Sequence, residues 1–226
     1  MRNPLRATSL LLAALALGAT TACAGDATTA GDAKTTAVPE QTNAVLAIGG
    51  AIPSADIKMM NVDGKEISIA EAKGAKGTLV VFSCNACPWA KAWETRIVEA
   101  GNTYMKKGVG VIVVNSNDPS VVADDGFDQM KARAKQRGMK FAYVVDATSD
   151  VARAFGATRT PEAFLFDAEG KLVYHGTIDD NAKEPGKVKE RYLVNALNAV
   201  SAGKAVAVQE TKSLGCSIKF RGKTSS

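Results

Sequence analysis

The chain has 226 residues, 46% of them hydrophobic and 23% charged, with a formal net charge of +5. That length suits one domain with a sizeable core. Lysines are scattered, and no basic stripe is interleaved with aromatics, so no nucleic-acid partner is expected.

Arg2 and Arg6 form a short positive leader before an apolar stretch from Leu10 to Gly18, too short to span a bilayer. Thr20-Thr21-Ala22-Cys23 follows. Two cleavage readings overlap. Ala22-Cys23-Ala24 fits the small-x-small rule of ordinary secretion. Alternatively Cys23 becomes the first mature residue and carries a lipid, as in bacterial lipoproteins, although Thr20 stands where their box usually has leucine. A cysteine is uncommon at such a place, so residues 1–23 are expected to be a signal peptide of the lipoprotein type, with Cys23 the lipidation site. Either reading sends the mature protein out of the cytoplasm, to the periplasmic or envelope side of a bacterial membrane. Without the leader arginines the charge falls to about +3. Residues 24–44, mostly Ala, Thr, Gly and Asp, lack apolar periodicity and are expected to be a flexible linker. Residues 45–221 are the expected domain and 222–226 a tail.

Ile57–Met60 and Glu66–Ile69 are expected as short strands around a turn at Asp63-Gly64. Thr78–Phe82 is the expected central strand. Pro88–Lys107 is an expected helix, with Trp89, Ala92, Trp93, Arg96, Ile97 and Ala100 at helical spacing and Gly108 after it. Val109–Val114 is a second buried strand, closed by Asn115-Ser116-Asn117-Asp118-Pro119. A basic helix over Phe127–Arg137 stops at Gly138. Phe141–Val145 is a strand and Asp150–Phe155 a short helix. Glu162–Phe166 and Leu172–His175 make a hairpin around Ala168-Glu169-Gly170. A last helix is expected over Val188–Ala202, before Gly203. Alternating strands and helices followed by a hairpin and a helix define an α/β domain with a mixed central sheet flanked by helices.

Cys84-Asn85-Ala86-Cys87-Pro88 stands between the central strand and the first helix. Two thiols at this spacing, delivered by a strand to a helix start, make a reactive dithiol. A structural zinc site would need four ligands, and only Cys216 and the lone His175 could join the pair. A purely structural disulfide closing so small a loop gains little entropy. Pro88 suits the first helical position, which places Cys87 at the N-cap. The first-turn N–H groups then favour its thiolate, lowering a pKa of ~8.5 by roughly one unit. Cys87 is therefore the expected nucleophile and Cys84 its resolving partner, with the opposite order kept open. Thr160-Pro161 precedes a strand, either as an ordinary strand entry or as a cis-proline. Cys216 is either a buried structural thiol or an additional redox thiol. His175 is expected as a strand-edge histidine, Trp89 and Trp93 as packing, and Asp179-Asp180-Asn181 as a solvated turn.

These features together resemble the thioredoxin superfamily, and within it the redoxin branch that includes the alkyl hydroperoxide reductase/thiol-specific antioxidant proteins. The resemblance runs from Ala51-Ile52-Pro53 to Gly215-Cys216-Ser217-Ile218-Lys219. It is closest to thioredoxin-like proteins with a Cys-Asn-His-Cys-Pro site and a Gly-Cys-Ser-Ile-Lys terminus. It implies a thioredoxin-like fold, a cis peptide before Pro161, and substrate docking at Thr160 and Pro161. It implies thiol or disulfide substrates, protein or small-molecule, an unidentified electron donor, and no cofactor. In the redoxin register Cys87 takes the peroxidatic position, while Cys84 replaces a peroxide-binding threonine. Thiol–disulfide exchange is thus the first reading, peroxide reduction the second, and a tethered domain with a structural bridge the third. Ala86, where the closest group carries histidine, removes a cation that would stabilise the thiolate, so a more reducing pair is expected.

Overall fold

The computed structural model describes residues 44–222. The signal peptide expected over 1–23, the expected lipidation site Cys23, and most of the expected linker and tail lie outside the described residues. Among the described residues no helix is long and apolar enough to cross a membrane.

A seven-stranded sheet forms the centre. Its strands are β1 (Met59–Asn61), β2 (Glu66–Ile67), β3 (Gly77–Phe82), β4 (Val109–Asn115), β5 (Ala142–Val145), β7 (Glu162–Asp167) and β8 (Leu172–Gly176). Their spatial order is β2-β1-β5-β4-β3-β7-β8. β4 runs parallel to β3 and β5, whereas β7 is antiparallel to β3 and β1 is antiparallel to β5. The sheet is therefore mixed, as expected. All six residues of β3 are buried, because helices cover both faces of this central strand.

The alternation along β3 assigns its side chains to two cores. Leu79 and Val81 face the helices α1 (Pro88–Met105), α2 (Phe127–Arg137) and α4 (Tyr192–Ser201). Val80 and Phe82 face α3 (Asp150–Phe155), where Phe82, Phe155 and Phe164 pack edge to face with centroids 5.1–5.7 Å apart. α1 buries Ala90, Trp93, Ile97, Ala100 and Tyr104 at three- and four-residue spacing. Gly101 lets it approach Phe141, because a Cβ there would lie 2.4 Å from the ring. α2 ends at left-handed Gly138, as expected.

Two of the boundaries that differ from expectation have clear local reasons. β2 stops at Ile67 because Ser68 and Glu71 cap a turn reciprocally, Glu71 N–H donating to Ser68 Oγ at 3.2 Å and Ser68 N–H to the Glu71 carboxylate at 2.9 Å. α4 begins at Tyr192 rather than Val188. Backbone bonds from Asp180 N–H to Glu190 O and from Lys189 N–H to the Asp180 carboxylate hold the preceding residues out of the helix. A second, two-stranded sheet went unpredicted: β6 (Arg159–Thr160) pairs antiparallel with β9 (Cys216–Ser217).

Candidate dithiol site

β3 ends at Phe82, and the chain turns through Cys84-Asn85-Ala86-Cys87 into α1. Cys87 is the extended N-cap residue and Pro88 opens the helix, the arrangement that Pro88 predicts. No side chain caps this terminus, so its N–H groups remain directed toward the site. Both thiols are buried, Cys84 at 7% exposure and Cys87 at 4%, and both are reduced.

The Thr160–Pro161 peptide bond is cis. Thr160 lies across from the dithiol and touches both cysteines. The Cys87 thiol donates to the Thr160 carbonyl at 3.0 Å, and Cys84 Sγ lies 3.3 Å from Thr160 Oγ1. The far edge of Thr160 is paired with Cys216 on β9. Cys216 is half-buried and packs on the Cys84–Cys87–Ala90 cluster with Trp89. The structure thus brings together Cys84, Cys87, Thr160 and Cys216. His175 is not at the thiols. It is largely buried, stacked at 4.6 Å on Phe164, with Nε2 2.7 Å from Glu162 Oε1.

The electrostatics of the two thiols diverge. The Cys87 thiol is lowered to about 4, first by the hydrogen bond from Cys84, against burial, and then by Cys216 and the Ala90 N–H. The Thr160 carbonyl favours the protonated form, but these donors outweigh it. Cys84 is pushed up, first by its bond to Cys87, then by burial and by the nearby Asp125 carboxylate. One proton is therefore kept on Cys84 while the charge rests on Cys87. Cys216 is raised to about 11 by burial and by its contact with Cys87, opposed by Lys219 and Arg159. Arg159 itself donates to the Gly215 carbonyl at 3.3 Å.

Two buried carboxylates fix the loops, and sequence reasoning missed both roles. Asp125 ends a 3₁₀ turn over Ala123–Asp125 and accepts from Asn85 N–H at 2.6 Å, Ala86 N–H at 3.3 Å and Asn117 Nδ2 at 2.8 Å. Tyr143 completes this support, its hydroxyl donating to Asn85 Oδ1 at 3.0 Å. Nothing in the local sequence links Asp125 to the dithiol, since the contact crosses about forty residues. Glu162 follows the cis-proline and accepts from the N–H groups of Thr158 and Arg159, both at 2.9 Å. Burial raises its carboxyl, but the bonds from His175, Thr158 and Arg159 together hold it below the usual range. A charge at the start of an apolar strand was the available signal.

Asp179, expected in a solvated turn, is buried and corrects that expectation. It accepts from Trp93 Nε1 at 2.7 Å and pairs with Arg96, which also binds the Ala92, Asn181 and Ala182 carbonyls. Trp93 is fully buried and Trp89 packs 5.9 Å from it, so both serve as packing beside the site. Among the described residues no three His, Cys, Asp or Glu side chains are grouped to hold a metal ion.

A mixed sheet between helices, with a Cys-x-x-Cys pair at a helix N-terminus opposite a cis-proline, defines a thioredoxin-like protein. The chain matches the Redoxin family over residues 47–192 and belongs to it. Two curated relatives are thiol-disulfide oxidoreductases ResA. That of Geobacillus thermodenitrificans is 26% identical over 59% of this chain and 72% of its own length. That of Bacillus thuringiensis is 25% identical over 50% of this chain and 61% of its own. Among solved structures, an uncharacterized conserved protein from Geobacillus kaustophilus superposes with a TM-score of 0.74 at 34% identity, covering 80% of this chain and 95% of that one. A hypothetical protein from Sinorhizobium meliloti 1021 gives 0.70 at 32% identity, covering 79% and 97%.

Proposed function

We propose that this redoxin is an extracytoplasmic thiol–disulfide oxidoreductase in which Cys87 attacks and Cys84 resolves. The observation that carries the reading is the place of Cys87, the N-cap of α1 with Pro88 behind it and no side chain capping the first turn, set against Thr160 at the cis-proline. The relatives named as thiol-disulfide oxidoreductases support the same chemistry. The Cys87 thiolate attacks one sulfur of a substrate disulfide. A Cys87–substrate bond forms and the first substrate thiolate leaves. Cys87 is then neutral, so the largest influence holding the proton on Cys84 has gone. Cys84 loses that proton and attacks the Cys87 sulfur, releasing the second thiolate and leaving a Cys84–Cys87 disulfide. An electron donor returns the two electrons.

Thr160, joined to Pro161 by the cis bond, is the wall against which the reacting sulfurs lie, touching both cysteines, and the two residues are where the substrate docks. The substrates are thiols and disulfides, protein or small-molecule, and a separate electron donor restores the dithiol. The leader and Cys23 support export and lipid anchoring.

Reduction of insulin disulfides by dithiothreitol tests the reading. The wild-type protein should accelerate it, and Cys87→Ser should abolish the acceleration. Full activity in Cys87→Ser would sink the assignment of the nucleophile. Consumption of hydrogen peroxide in preference to insulin, with the same donor, would put the peroxidase reading first.

A further inference from the structure

β9 is held to the site by an extended set of bonds. Ile218 N–H donates to Thr158 O at 2.9 Å, and the Ile218 side chain is buried in the core on the α3 side. Lys219 continues the attachment, its N–H donating to Asn117 Oδ1 at 2.8 Å and its carbonyl accepting from Asp118 N–H at 2.7 Å. Upstream, Ser213 Oγ donates to Glu162 at 3.2 Å. Gly215 passes so close to β6 that a Cβ on it would lie 2.2 Å from the Thr160 carbonyl oxygen. Close approach at Gly215 and anchoring at Ile218 leave Cys216 fixed as the cross-strand partner of Thr160, in contact with the Cys87 sulfur. An open strand edge is where an extended peptide adds. Here that edge is already taken, and the residue beside Cys87 is a reduced cysteine.

We propose that Cys216 is a third redox thiol, an internal occupant of the position a substrate sulfur would take, and that a Cys87–Cys216 disulfide forms as an intermediate of exchange. The proposal rests on Cys87 being the attacking sulfur. After Cys87 has attacked a substrate disulfide, the Cys216 thiol loses its proton to solvent and attacks the Cys87 sulfur. The Cys87–substrate bond breaks, a substrate thiolate leaves, and the Cys87–Cys216 bond forms. Cys84, once deprotonated, attacks the Cys87 sulfur, the Cys87–Cys216 bond breaks, and the Cys216 thiolate is freed. The protein gives up two electrons in total and the substrate disulfide takes both. Cys84 is more deeply buried than Cys216, so Cys216 is the thiol better placed to meet a bulky adduct on Cys87.

Reduced full-length wild-type, Cys84→Ser, Cys216→Ser and Cys84→Ser/Cys216→Ser proteins are mixed with oxidised glutathione and quenched with N-ethylmaleimide at intervals. Intact mass and peptide mapping then place every adduct and bridge, Cys23 included. Cys84→Ser should lose its glutathione adduct at Cys87 and gain a Cys87–Cys216 bridge, whereas the double variant should keep the adduct. In wild type the Cys87–Cys216 bridge should appear early and give way to Cys84–Cys87, and Cys216→Ser should prolong the early adduct. Equal accumulation of the adduct in Cys84→Ser and the double variant, with Cys216 still alkylated, would overturn the proposal. So would a wild-type time course without the early bridge, which serves even if Cys84→Ser folds poorly. A double variant that takes up no glutathione at Cys87, beside a wild type that forms no Cys84–Cys87 bridge, would overturn the dithiol reading itself and this proposal with it.

Discussion

Replacing Cys84 by alanine tests the source of the Cys87 thiolate. The Cys84 hydrogen bond is the largest influence lowering Cys87, which stands at about 4. A hydrogen bond to a charged group is worth roughly 1.5–3 kcal/mol. At 1.36 kcal/mol per unit, its loss raises Cys87 by about one to two units, to about 5–6. The sign follows from what is removed: a donor to the anion, whose loss disfavours the anion. The assay is the pH dependence of iodoacetamide alkylation at Cys87, read by peptide mapping. Cys84→Ser keeps a donating hydroxyl and should restore most of the wild-type midpoint. An alanine midpoint equal to or below that of wild type would refute the reasoning. The same shift governs the pH dependence of stability. A thiol depressed on folding adds stability that is complete above its unfolded pKa of ~8.5 and lost as pH falls through the folded value. The reduced wild-type protein therefore loses this contribution down to about pH 4, and Cys84→Ala loses it sooner.

Asp125→Ala leaves the Asn85 and Ala86 N–H groups and the Asn117 amide without their acceptor. At ~1–3 kcal/mol per unsatisfied buried group, partly relieved by water, urea denaturation of the reduced protein should show a loss of about 2–4 kcal/mol. Arg96→Met strands the buried Asp179 carboxylate, and a loss of about 3–5 kcal/mol is expected in the same experiment. An unchanged denaturation midpoint in either variant would contradict the bonding described.

The central strand and the first helix were legible because their signals are local. Thr78–Phe82 is an unbroken apolar run, and Pro88 marks where the helix must begin. The position of Cys87 at that N-cap followed from Pro88 alone. The contacts that set its acidity did not follow, since Cys216 reaches it from a strand of two residues, too short to carry a period. Asp125 and Glu162 were illegible for a related reason. A buried carboxylate is recognised by the N–H groups it satisfies, and those belong to distant loops or to the turn before Pro161, whose cis bond the resemblance implied but whose N–H partners it did not. The late start of α4 likewise depends on bonds from the Asp179–Asp180 loop rather than on its own periodicity.

The β6–β9 pairing also orders the steps by which the site is assembled. The Cys84–Cys87 pair needs only a turn between a strand and a helix, a contact of short sequence separation. Asp125, Thr160 and Cys216 reach it across progressively longer loops, whose closure is entropically costly and therefore late. Docking of the last strand brings Cys216 to a Cys87 sulfur already beside Cys84, so the third cysteine joins the site only with the completed fold.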